Sequence, residues 1–350
     1  MGRRTTTAGR RGATIREVAQ RAGVSIKTVS RVVNHEPNVR PETRERVLEA
    51  VSVLEYEPLP AARGLAGRRT FSIGLVYENP HEFSYIQRLI EGSYAACEAK
   101  GHALLLRPGT EDVTPDLVRQ FVRQTRVDGL LLTAPITDRA DVTSLLVESD
   151  IAFAQISPRE TNPQWTSVSP DDFGASRTLT RHVLGLGHRR IGFIKGDPKH
   201  GASHKRLSGH LACLDDHGLQ TDPALIVDGQ FDFDSGRRGL LALWKLPQPP
   251  TAIIACNDDT AAGVVVTAHE RGIRVPGTLA VAGFDDSPTA THTWPALTTV
   301  RQPIAQIAFR ATELLIASIA GEPPRQETFS CDLIARSSMA MPARAKETGS

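Results

Sequence analysis

The sequence contains only four cysteines and no long apolar run. The cysteines lie far apart, without a CxxC spacing, at Cys97, Cys213, Cys256 and Cys331. This pattern argues against both a thiolate metal site and a secreted disulfide framework. No apolar stretch approaches the roughly 18 residues of a membrane span, and no signal-peptide core follows the basic start MGRRTTTAGRRGA. We therefore expect a cytoplasmic protein with no membrane association and with buried thiols.

Common catalytic motifs are also absent. The chain has no G-x-S-x-G, no H-E-x-x-H and no complete G-x-x-x-x-G-K-[ST], and the His of GHRR has no second His three or four positions on. Aspartate pairs recur at 171/172, 215/216, 258/259 and 285/286, and paired carboxylates can hydrolyse glycosides. Adjacent residues on one loop, however, rarely face a substrate from opposite sides. We expect no catalytic residue, no metal site and no cofactor.

Length and charge indicate several distinct units. The chain has 350 residues, of which 40% are hydrophobic and 23% charged, which is typical of a globular protein with two or three folded units. Residues 1–70 contain 14 Lys and Arg against 7 Asp and Glu, and the remainder contains 27 against 32. A basic front and an acidic body suggest a polyanionic partner for the front, although a solvated charged face would give the same composition.

The stretch ATIREVAQRAGVSIKTVSRVVNHEP, residues 13–37, predicts two short helices joined by a tight turn. Thr14 and Glu17 fit a capping box at the start of the first helix. Gly23 can end that helix, because glycine adopts a left-handed backbone conformation at little cost in free energy. Ser25 can then cap the second helix. Val24 and Val29 are expected to pack inward. Such a helix-turn-helix places the amino-terminal end of its second helix in a DNA major groove.

A third helix and a linker follow. Pro41 opens the helix, and Val47, Leu48, Val51 and Leu54 recur at helical spacing, so we expect them to close a small core. Arg40 offers no capping oxygen before Pro41. The next segment, EPLPAARGLAGRRT, contains prolines and glycines typical of a linker. A helix within it would be marginal, since Gly64 lowers helix propensity by about 1 kcal/mol relative to Ala.

The chain from about residue 13 to 338 resembles the lactose/galactose repressor family of bacterial transcription regulators. TIREVAQRAGVSIKTVSRVVN is similar to the DNA-reading headpiece of that family and ARGLAG to its hinge. LGHRRIGFIKG, ACNDDTAAGV, RVPGTLAVAGFDDSP and PALTTVRQP follow in the family's order. The resemblance implies a homodimer or tetramer on a near-palindromic operator. It also implies a hinge helix that orders over the minor groove and inserts Leu65 between base pairs.

The helix-turn-helix pattern and the family resemblance together define the expected DNA contacts. Lys27, Ser30 and Arg31 are expected to meet base edges, with Ile26 in apolar contact, while Arg16, Arg40 and the arginine-rich start meet phosphates. The full set of predicted DNA-binding residues is Thr14, Arg16, Ser25, Ile26, Lys27, Thr28, Ser30, Arg31, Asn34, Arg40 and Leu65.

The body alternates strand and helix patterns. Short β-branched or aliphatic runs such as FSIGLVY, DGLLLTA and TAIIAC alternate with amphipathic stretches, which predicts parallel sheets covered by helices on both faces. We expect two doubly wound α/β lobes of the periplasmic-binding-protein type behind an all-α headpiece. The predicted units are a basic disordered tail at 1–12, a helix-turn-helix domain at 13–57, a hinge at 58–70, a first lobe at 71–160 plus about 294–325, a second lobe at 161–293 plus about 326–340, and a disordered tail at 341–350.

Two joined lobes form a cleft that can close on a small molecule. Arg206 matches the family's ligand-gripping arginine, and its planar fork suits paired hydroxyls or a carboxylate. Asp285 and Asn257 each follow a predicted strand, where ligands of such sheets bind. The expected effector-binding residues are Phe83, Asp172, Phe173, His200, Arg206, Phe231, Asn257 and Asp285. Asp172 and Asp258 are equally placed to cap helices.

We therefore expect a repressor-type, DNA-binding dimer whose operator affinity depends on a small-molecule effector. Aromatic and hydroxyl-pairing residues favour a saccharide. The alternatives are a solute-binding protein, which should lack residues 1–70, and a carbohydrate-processing enzyme, which should turn over its ligand. Neither accounts for the helix-turn-helix pattern.

Overall fold

The computed structural model describes residues 13–33, 39–56, 69–78, 83–109 and 113–342. Asn34, Leu65 and the tail predicted at 1–12 lie outside these residues. So do residues 58–68 of the hinge predicted at 58–70 and residues 343–350 of the tail predicted at 341–350. The same holds for the side chain of Phe83.

The amino-terminal unit contains helices α1 (Ile15–Ala22), α2 (Ile26–Val33) and α3 (Pro41–Val53). The predicted capping box is present, because Thr14 N donates to Glu17 Oε2 at 2.6 Å and Glu17 N donates to Thr14 Oγ1 at 3.4 Å. Gly23 ends α1 with φ of 64°. The hydroxyl of Ser25 then accepts from Thr28 N at 3.2 Å. The helix-turn-helix is therefore built as its sequence predicts.

Valines from all three helices form the core of this unit. Val18, Val29, Val32 and Val47 are completely buried. Leu48 was predicted to join them, but this prediction is wrong, since its side chain is 46% exposed. The inner face of α3 follows the spacing of residues 47, 50, 51 and 54, and a residue one position after Val47 is rotated by about 100° from that face.

The body contains twelve strands and nine α-helices within the described residues. The strands are β1 (Ser72–Tyr77), β2 (Ala103–Pro108), β3 (Gly129–Thr133), β4 (Ala152–Ile156), β5 (Thr166–Pro170), β6 (Ile191–Ile194), β7 (Ile226–Val227), β8 (Ala252–Ala255), β9 (Ala280–Ala282), β10 (Thr299–Arg301), β11 (Gln326–Phe329) and β12 (Asp332–Ile334). The helices are α4 (Phe83–Ala99), α5 (Pro115–Thr125), α6 (Ala140–Glu148), α7 (Asp172–Gly185), α8 (Gly201–Asp216), α9 (Phe233–Trp244), α10 (Asp258–Glu270), α11 (Pro288–His292) and α12 (Ile304–Ile319).

The first lobe is a parallel sheet between two helical layers. Its strand order is β11-β5-β4-β3-β1-β2. Leu131 faces the layer of α4 and α12, whereas its neighbours Leu130 and Leu132 face the layer of α5 and α6. All three leucines are completely buried. A strand covered on both faces must be apolar at consecutive positions, which explains the LLL run.

The second lobe repeats this plan with a parallel sheet in the order β7-β6-β8-β9. On β8, Ile254 packs toward α7 and α8, and Ile253 packs toward α9 and α10. The antiparallel pair β10 and β12 extends this lobe, since Val300 on β10 belongs to its core. The predicted fold class, an all-α headpiece followed by two doubly wound α/β lobes, is confirmed.

The chain crosses between the lobes three times, and the predicted boundaries of these crossings need correction. The crossings lie between β5 and α7, between β10 and α12, and between β11 and β12. The predicted boundary at 160 is too early, because β5 belongs to the first sheet. The boundary at about 293 is also too early, since β10 still belongs to the second lobe. The boundary at about 325 assigned β11 to the wrong lobe. Both β5 and β11 are rich in polar residues, so neither resembles a core strand.

Candidate nucleic-acid interface and ligand cleft

The outward face of α2 presents the predicted DNA-reading residues to solvent. Ile26 is 45% exposed despite its apolar side chain. Lys27 and Arg31 are exposed, and Ser30 is half-buried on the same helix. The opposite face holds the buried Val29 and Val32. This separation leaves the amino-terminal part of α2 available to enter a groove.

The remaining described residues of the predicted DNA set lie near the surface. Thr14, Arg16, Ser25 and Arg40 are exposed. Thr28 is half-buried, and its hydroxyl lies 2.9 Å from that of Ser25. The amino-terminal ends of helices attract anions, and arginine side chains add donors that suit phosphate oxygens. This surface therefore exposes basic side chains and helix amino-terminal ends of the kind that can bind phosphate.

A cavity between the lobes collects side chains from the carboxyl ends of strands in both sheets. Ala134 follows β3 and Ser157 follows β4 in the first lobe, while Asn257 follows β8 in the second. The residues that line the cavity are Tyr85, Ala134, Ser157, Asp172, His200, Ala202, Arg206, Phe231, Asn257, Asp285 and Gln302. Parallel sheets bind ligands at this edge because successive strands end there together.

Arg206 lines the second lobe's side of the cavity and is 5% exposed. Its Nε donates to Asp172 Oδ1 at 2.8 Å, and its Nη1 donates to the carbonyl oxygen of Cys256. The guanidinium carbon lies 3.8 Å from the centre of the Phe284 ring. Burial works against the charged form, but the carboxylates of Asp172 and Asp285 outweigh it and hold the pKa of Arg206 above its usual range.

Asp285 lines the cavity and is half-buried, whereas Asp258 lies close to it and is almost completely buried. Asp285 accepts from Gln302 Nε2, and Asp258 accepts from Thr299 Oγ1 at 2.6 Å and from Ser287 N at 2.7 Å. Burial raises the pKa of Asp258 to about 8, with a further contribution from the charge of Asp285. Burial also raises the pKa of Asp285, against the attraction of Arg206. Both carboxyl groups therefore keep their protons more strongly than exposed ones do.

An aromatic wall closes one side of the cavity. The ring of Phe231 packs against Gly196, where any Cβ would overlap the ring, and lies edge-on to His200 with 5.4 Å between ring centres. Burial lowers the pKa of His200, against the attraction of Asp197. A neutral imidazole can both donate and accept a hydrogen bond, so this wall combines an apolar ring with an adaptable polar one.

Three of the residues that line the cavity have a strained backbone. Ser157, Phe231 and Asp285 have φ of 58°, 60° and 109°, in the left-handed region that side chains other than glycine rarely adopt. Such conformations persist where the surrounding structure enforces them, and they cluster at ligand-binding sites.

Six of the eight predicted effector residues line this cavity: Asp172, His200, Arg206, Phe231, Asn257 and Asp285. The prediction for Phe173 is wrong, because its side chain is 41% exposed and does not line the cavity. Consecutive helical residues point about 100° apart, so Phe173 turns away where Asp172 turns inward.

The question of helix caps is also resolved. Asp171 caps α7 by accepting from Gly174 N at 2.9 Å. Asp172 is therefore not the cap, and its carboxylate instead accepts a hydrogen bond from Arg206. Asn257 caps α10 by accepting from Thr260 N at 2.9 Å, while its Nδ2 donates to Phe231 O at 2.7 Å. Asp258 is therefore not the cap. Asn257 combines a structural role with its position at the cavity.

Sequence reasoning missed three polar residues that the first lobe and a crossing segment contribute, namely Tyr85, Ser157 and Gln302. Ser157 directly follows a predicted strand, which was the signal used for Asn257 and Asp285. Gln302 lies in the PALTTVRQP motif. No feature of the sequence around Tyr85 distinguishes it from other residues on a helix face.

The two lobes approach each other closely at the rim of the cavity. Arg88 Nη2 donates to Asp286 O at 3.1 Å, Lys205 Nζ to Pro158 O at 2.8 Å and Arg159 Nη2 to Pro198 O at 2.8 Å. The cavity has a volume of about 40 Å³, enough for about three water molecules. A larger guest therefore requires the lobes to move apart.

Two further properties concern the part of the chain that the structure describes. It contains no cluster of three or more His, Cys, Asp or Glu side chains arranged to hold a metal ion. None of its helices is both long and apolar enough to cross a lipid bilayer.

Two family models match the chain. The model described as bacterial regulatory proteins, lacI family, matches residues 14–58, and the model of a periplasmic binding protein-like domain matches residues 180–339. The HTH-type transcriptional regulator AscG of Escherichia coli K12 is 32% identical over 336 residues, which cover 95% of this chain and 99% of that protein.

Solved structures agree with these matches. The transcriptional regulator CelR, in complex with cellobiose, superposes with a TM-score of 0.72 and 30% identity, covering 93% of this chain and 99% of that one. The lac repressor dimer bound to operator and the anti-inducer ONPF superposes with a TM-score of 0.79, covering 94% of this chain and 100% of that one. At 24% identity the latter match concerns the fold alone. The chain belongs to the lacI family of bacterial regulatory proteins and is a transcriptional regulator with a helix-turn-helix headpiece and a periplasmic-binding-protein-like body.

Proposed function

We propose that this regulator is a cytoplasmic, sequence-specific DNA-binding dimer whose affinity for a near-palindromic operator is set by a saccharide bound between its lobes. The main support is the convergence of Arg206, Asp285, Asn257 and Phe231 on one cavity that both lobes enclose.

The headpiece supplies the DNA contacts in this proposal. Lys27, Ser30 and Arg31 project from the outward face of α2 toward base edges, and Arg16 and Arg40 meet phosphates. Two headpieces related by a twofold axis read two half-sites, which is why the operator should be near-palindromic. Leu65 keeps the minor-groove role that the family resemblance implies.

The chemistry of the cavity suits a polyhydroxylated ring. The guanidinium of Arg206 provides donors in one plane, and Asp285 and Asn257 provide acceptors within the same space. The ring of Phe231 offers an apolar face for the C–H side of a sugar. The CelR complex with cellobiose provides a precedent on this fold.

Catalysis has no place in this proposal. Asp172 is paired with Arg206, and Asp285 accepts from Gln302, so neither carboxyl is arranged as the acid and base of a glycosidase. A saccharide would instead act by changing the separation of the lobes. An effector can shift an equilibrium between two lobe arrangements only by binding them with different affinity. Because the cavity admits no sugar unless the lobes separate, affinity and lobe separation are coupled.

Selection of binding sites from a randomised DNA pool tests this function. The purified full-length protein should enrich a near-palindromic duplex, and at least one saccharide should change its affinity for that duplex. The expected change is about 5- to 150-fold, in either direction, which corresponds to a coupling free energy of about 1–3 kcal/mol. Failure to enrich any duplex, with or without saccharides, would contradict the proposal.

A further inference from the structure

The cleft contains a second compartment beside the first. The two compartments share Tyr85, Asn257 and Asp285 as a common wall. Beyond this wall, the second compartment is lined by Ser84, Arg88, Asp259, Ser287 and Ile304, none of which lines the first. Since they share a wall, the compartments lie side by side in the cleft.

Each compartment contains one buried hydroxyl without a hydrogen-bond partner among the described residues. Ser157 lines the first compartment, and Ser287 lines the second, where its side chain lies beside the carboxyl of Asp258. These residues are only 7% and 9% exposed. An unsatisfied buried hydroxyl is unfavourable, and a hydroxyl of a bound ligand would satisfy it. The two serines therefore indicate two separate places where a ligand forms hydrogen bonds.

The charges around the second compartment favour a neutral group. Arg88 supplies one cation, but Asp259 and the shared Asp285 supply two carboxyl groups. The guanidinium of Arg88 already donates to Asp286 O at 3.1 Å, and Asp259 Oδ1 accepts from Thr289 Oγ1 at 2.7 Å. A phosphate or carboxylate placed here would meet these carboxyl groups as well as the arginine, so the compartment offers no net attraction for an anion.

Both compartments open with the same movement. Tyr85 and Ser157 of the first lobe face Arg206 across the first compartment, and Arg88 and α12 face Ser287 across the second. Separation of the lobes therefore enlarges the two together. A guest that spans both would contact each lobe twice.

We propose that the effector is a neutral saccharide of two rings, with one ring against Arg206 and Phe231 and the second against Ser287, Asp259 and Arg88. This inference rests on the saccharide-binding function proposed above. Ser287 and Ser84 act as specificity-determining residues, because they contact only the second ring. A monosaccharide fills one compartment and leaves the hydroxyl of Ser287 unsatisfied.

Calorimetric titration of the full-length protein tests this arrangement. The probes are cellobiose, lactose and maltose, their component monosaccharides glucose and galactose, and glucose 6-phosphate. One disaccharide is expected to bind at least roughly tenfold more tightly than its component monosaccharides, because the second ring adds hydrogen bonds and buried area.

Two matched serine variants separate the compartments. Ser287→Ala should weaken disaccharide binding by about 3- to 12-fold, the value of one hydrogen bond, with a much smaller effect on a monosaccharide. Ser157→Ala should weaken both ligands alike. A third variant, Ser84→Phe, fills the second compartment from the surface of α4 and should remove the advantage of the disaccharide. Thermal unfolding of each variant establishes that it is folded.

The outcomes distinguish the two proposals. Equal affinity for monosaccharide and disaccharide, equal losses with both serine variants, or preference for glucose 6-phosphate would overturn the two-ring inference while preserving a saccharide effector. If none of the probes bound or changed DNA affinity, the saccharide function itself would be overturned.

Discussion

Arg206 and Asp172 form an ion pair almost completely removed from solvent, with side chains 6% and 2% exposed and 2.8 Å between Nε and Oδ1. A buried pair of this kind contributes little net stability, because desolvation of two charges offsets their attraction. Its value lies in orientation: the pair fixes the plane of the guanidinium at the edge of the cavity. The side chain meets a ligand already ordered, which reduces the entropic cost of binding.

Arg206→Lys should therefore impair effector binding more than folding. Lysine keeps a positive charge opposite Asp172 but lacks the planar fork that also bonds to Cys256 O and stacks on Phe284. We expect effector affinity to fall at least roughly tenfold, while operator affinity without effector stays unchanged. Calorimetry and a DNA-binding titration measure the two effects.

The control is Arg177→Lys, at an ion pair with Asp216 in which both side chains are about 40% exposed. This variant should respond to effector like the original protein. A normal effector response from Arg206→Lys would show that the cavity has been assigned wrongly.

Asp258 should make the protein less stable as the solution becomes alkaline. Its pKa is about 8 in the folded protein because of burial and the nearby charge of Asp285, whereas an unfolded aspartate has a pKa of about 3.9. The folded state therefore holds the proton more tightly. This contribution to stability is fully present below the unfolded pKa and is lost as the pH rises through the folded pKa.

Asp258→Asn cannot ionise, so it should lose less stability than the original protein as the pH rises from about 4 to about 8, between the unfolded and the folded pKa. Thermal melts across this range provide the measurement. Asp215→Asn, at an exposed position on α8, is the matched control and should follow the original curve. Identical pH curves for Asp258→Asn and the original protein would contradict the assignment.

The sequence was most informative where local chemistry determines structure. Two of these features depend only on neighbouring residues, namely the capping box of Thr14 and Glu17 and the left-handed Gly23. The third, the LLL run of β3, follows from burial of the strand on both faces of the sheet. Arg206 was found through a family resemblance.

The sequence was least informative where a strand or a site residue depends on contacts with segments that are distant in sequence. All five residues of β5 are buried although the strand reads Thr-Ser-Val-Ser-Pro, because β4 and β11 pair with it on either side and α12 packs against it. Strand formation here depends on a tertiary context that composition does not record. Tyr85 likewise reaches the cavity only through the packing of α4 against the sheet.

Arg31→Ala tests the DNA-reading face. If Arg31 contacts a base, its loss should reduce discrimination at one base pair by about 1–3 kcal/mol, while binding to random duplexes changes little. Competition titrations against single-base operator variants measure this. The control is Arg119→Ala, which removes an exposed arginine from α5 of the first lobe, outside the headpiece. It should leave discrimination between base pairs unchanged. An equal loss on operator and random DNA would indicate a phosphate contact instead.

Asp286 joins the segments at which the lobes connect. Its carboxylate accepts from Arg301 Nε at 2.7 Å and from Arg336 Nη2 at 2.5 Å, and its backbone oxygen accepts from Arg88. Burial raises the pKa of Asp286, but the hydrogen bonds from Arg336 and Arg301 outweigh burial and leave the pKa below its ordinary value. Asp286 thus holds β10 and the segment after β12 against the second lobe as a charged group.

Asp286→Asn should lower the free energy of unfolding by about 1.5–3 kcal/mol at neutral pH, since charge-assisted hydrogen bonds are replaced by neutral ones. The folded pKa is depressed, so this contribution is present above the unfolded pKa and disappears as the pH falls through the folded value. The difference between the original protein and the variant, measured by urea unfolding, should therefore shrink below about pH 4. Asp332→Asn on β12, where the carboxylate is exposed, should show no such difference at either pH. If the difference in free energy of unfolding stayed constant in acid, Asp286 would act through its shape and not through its charge.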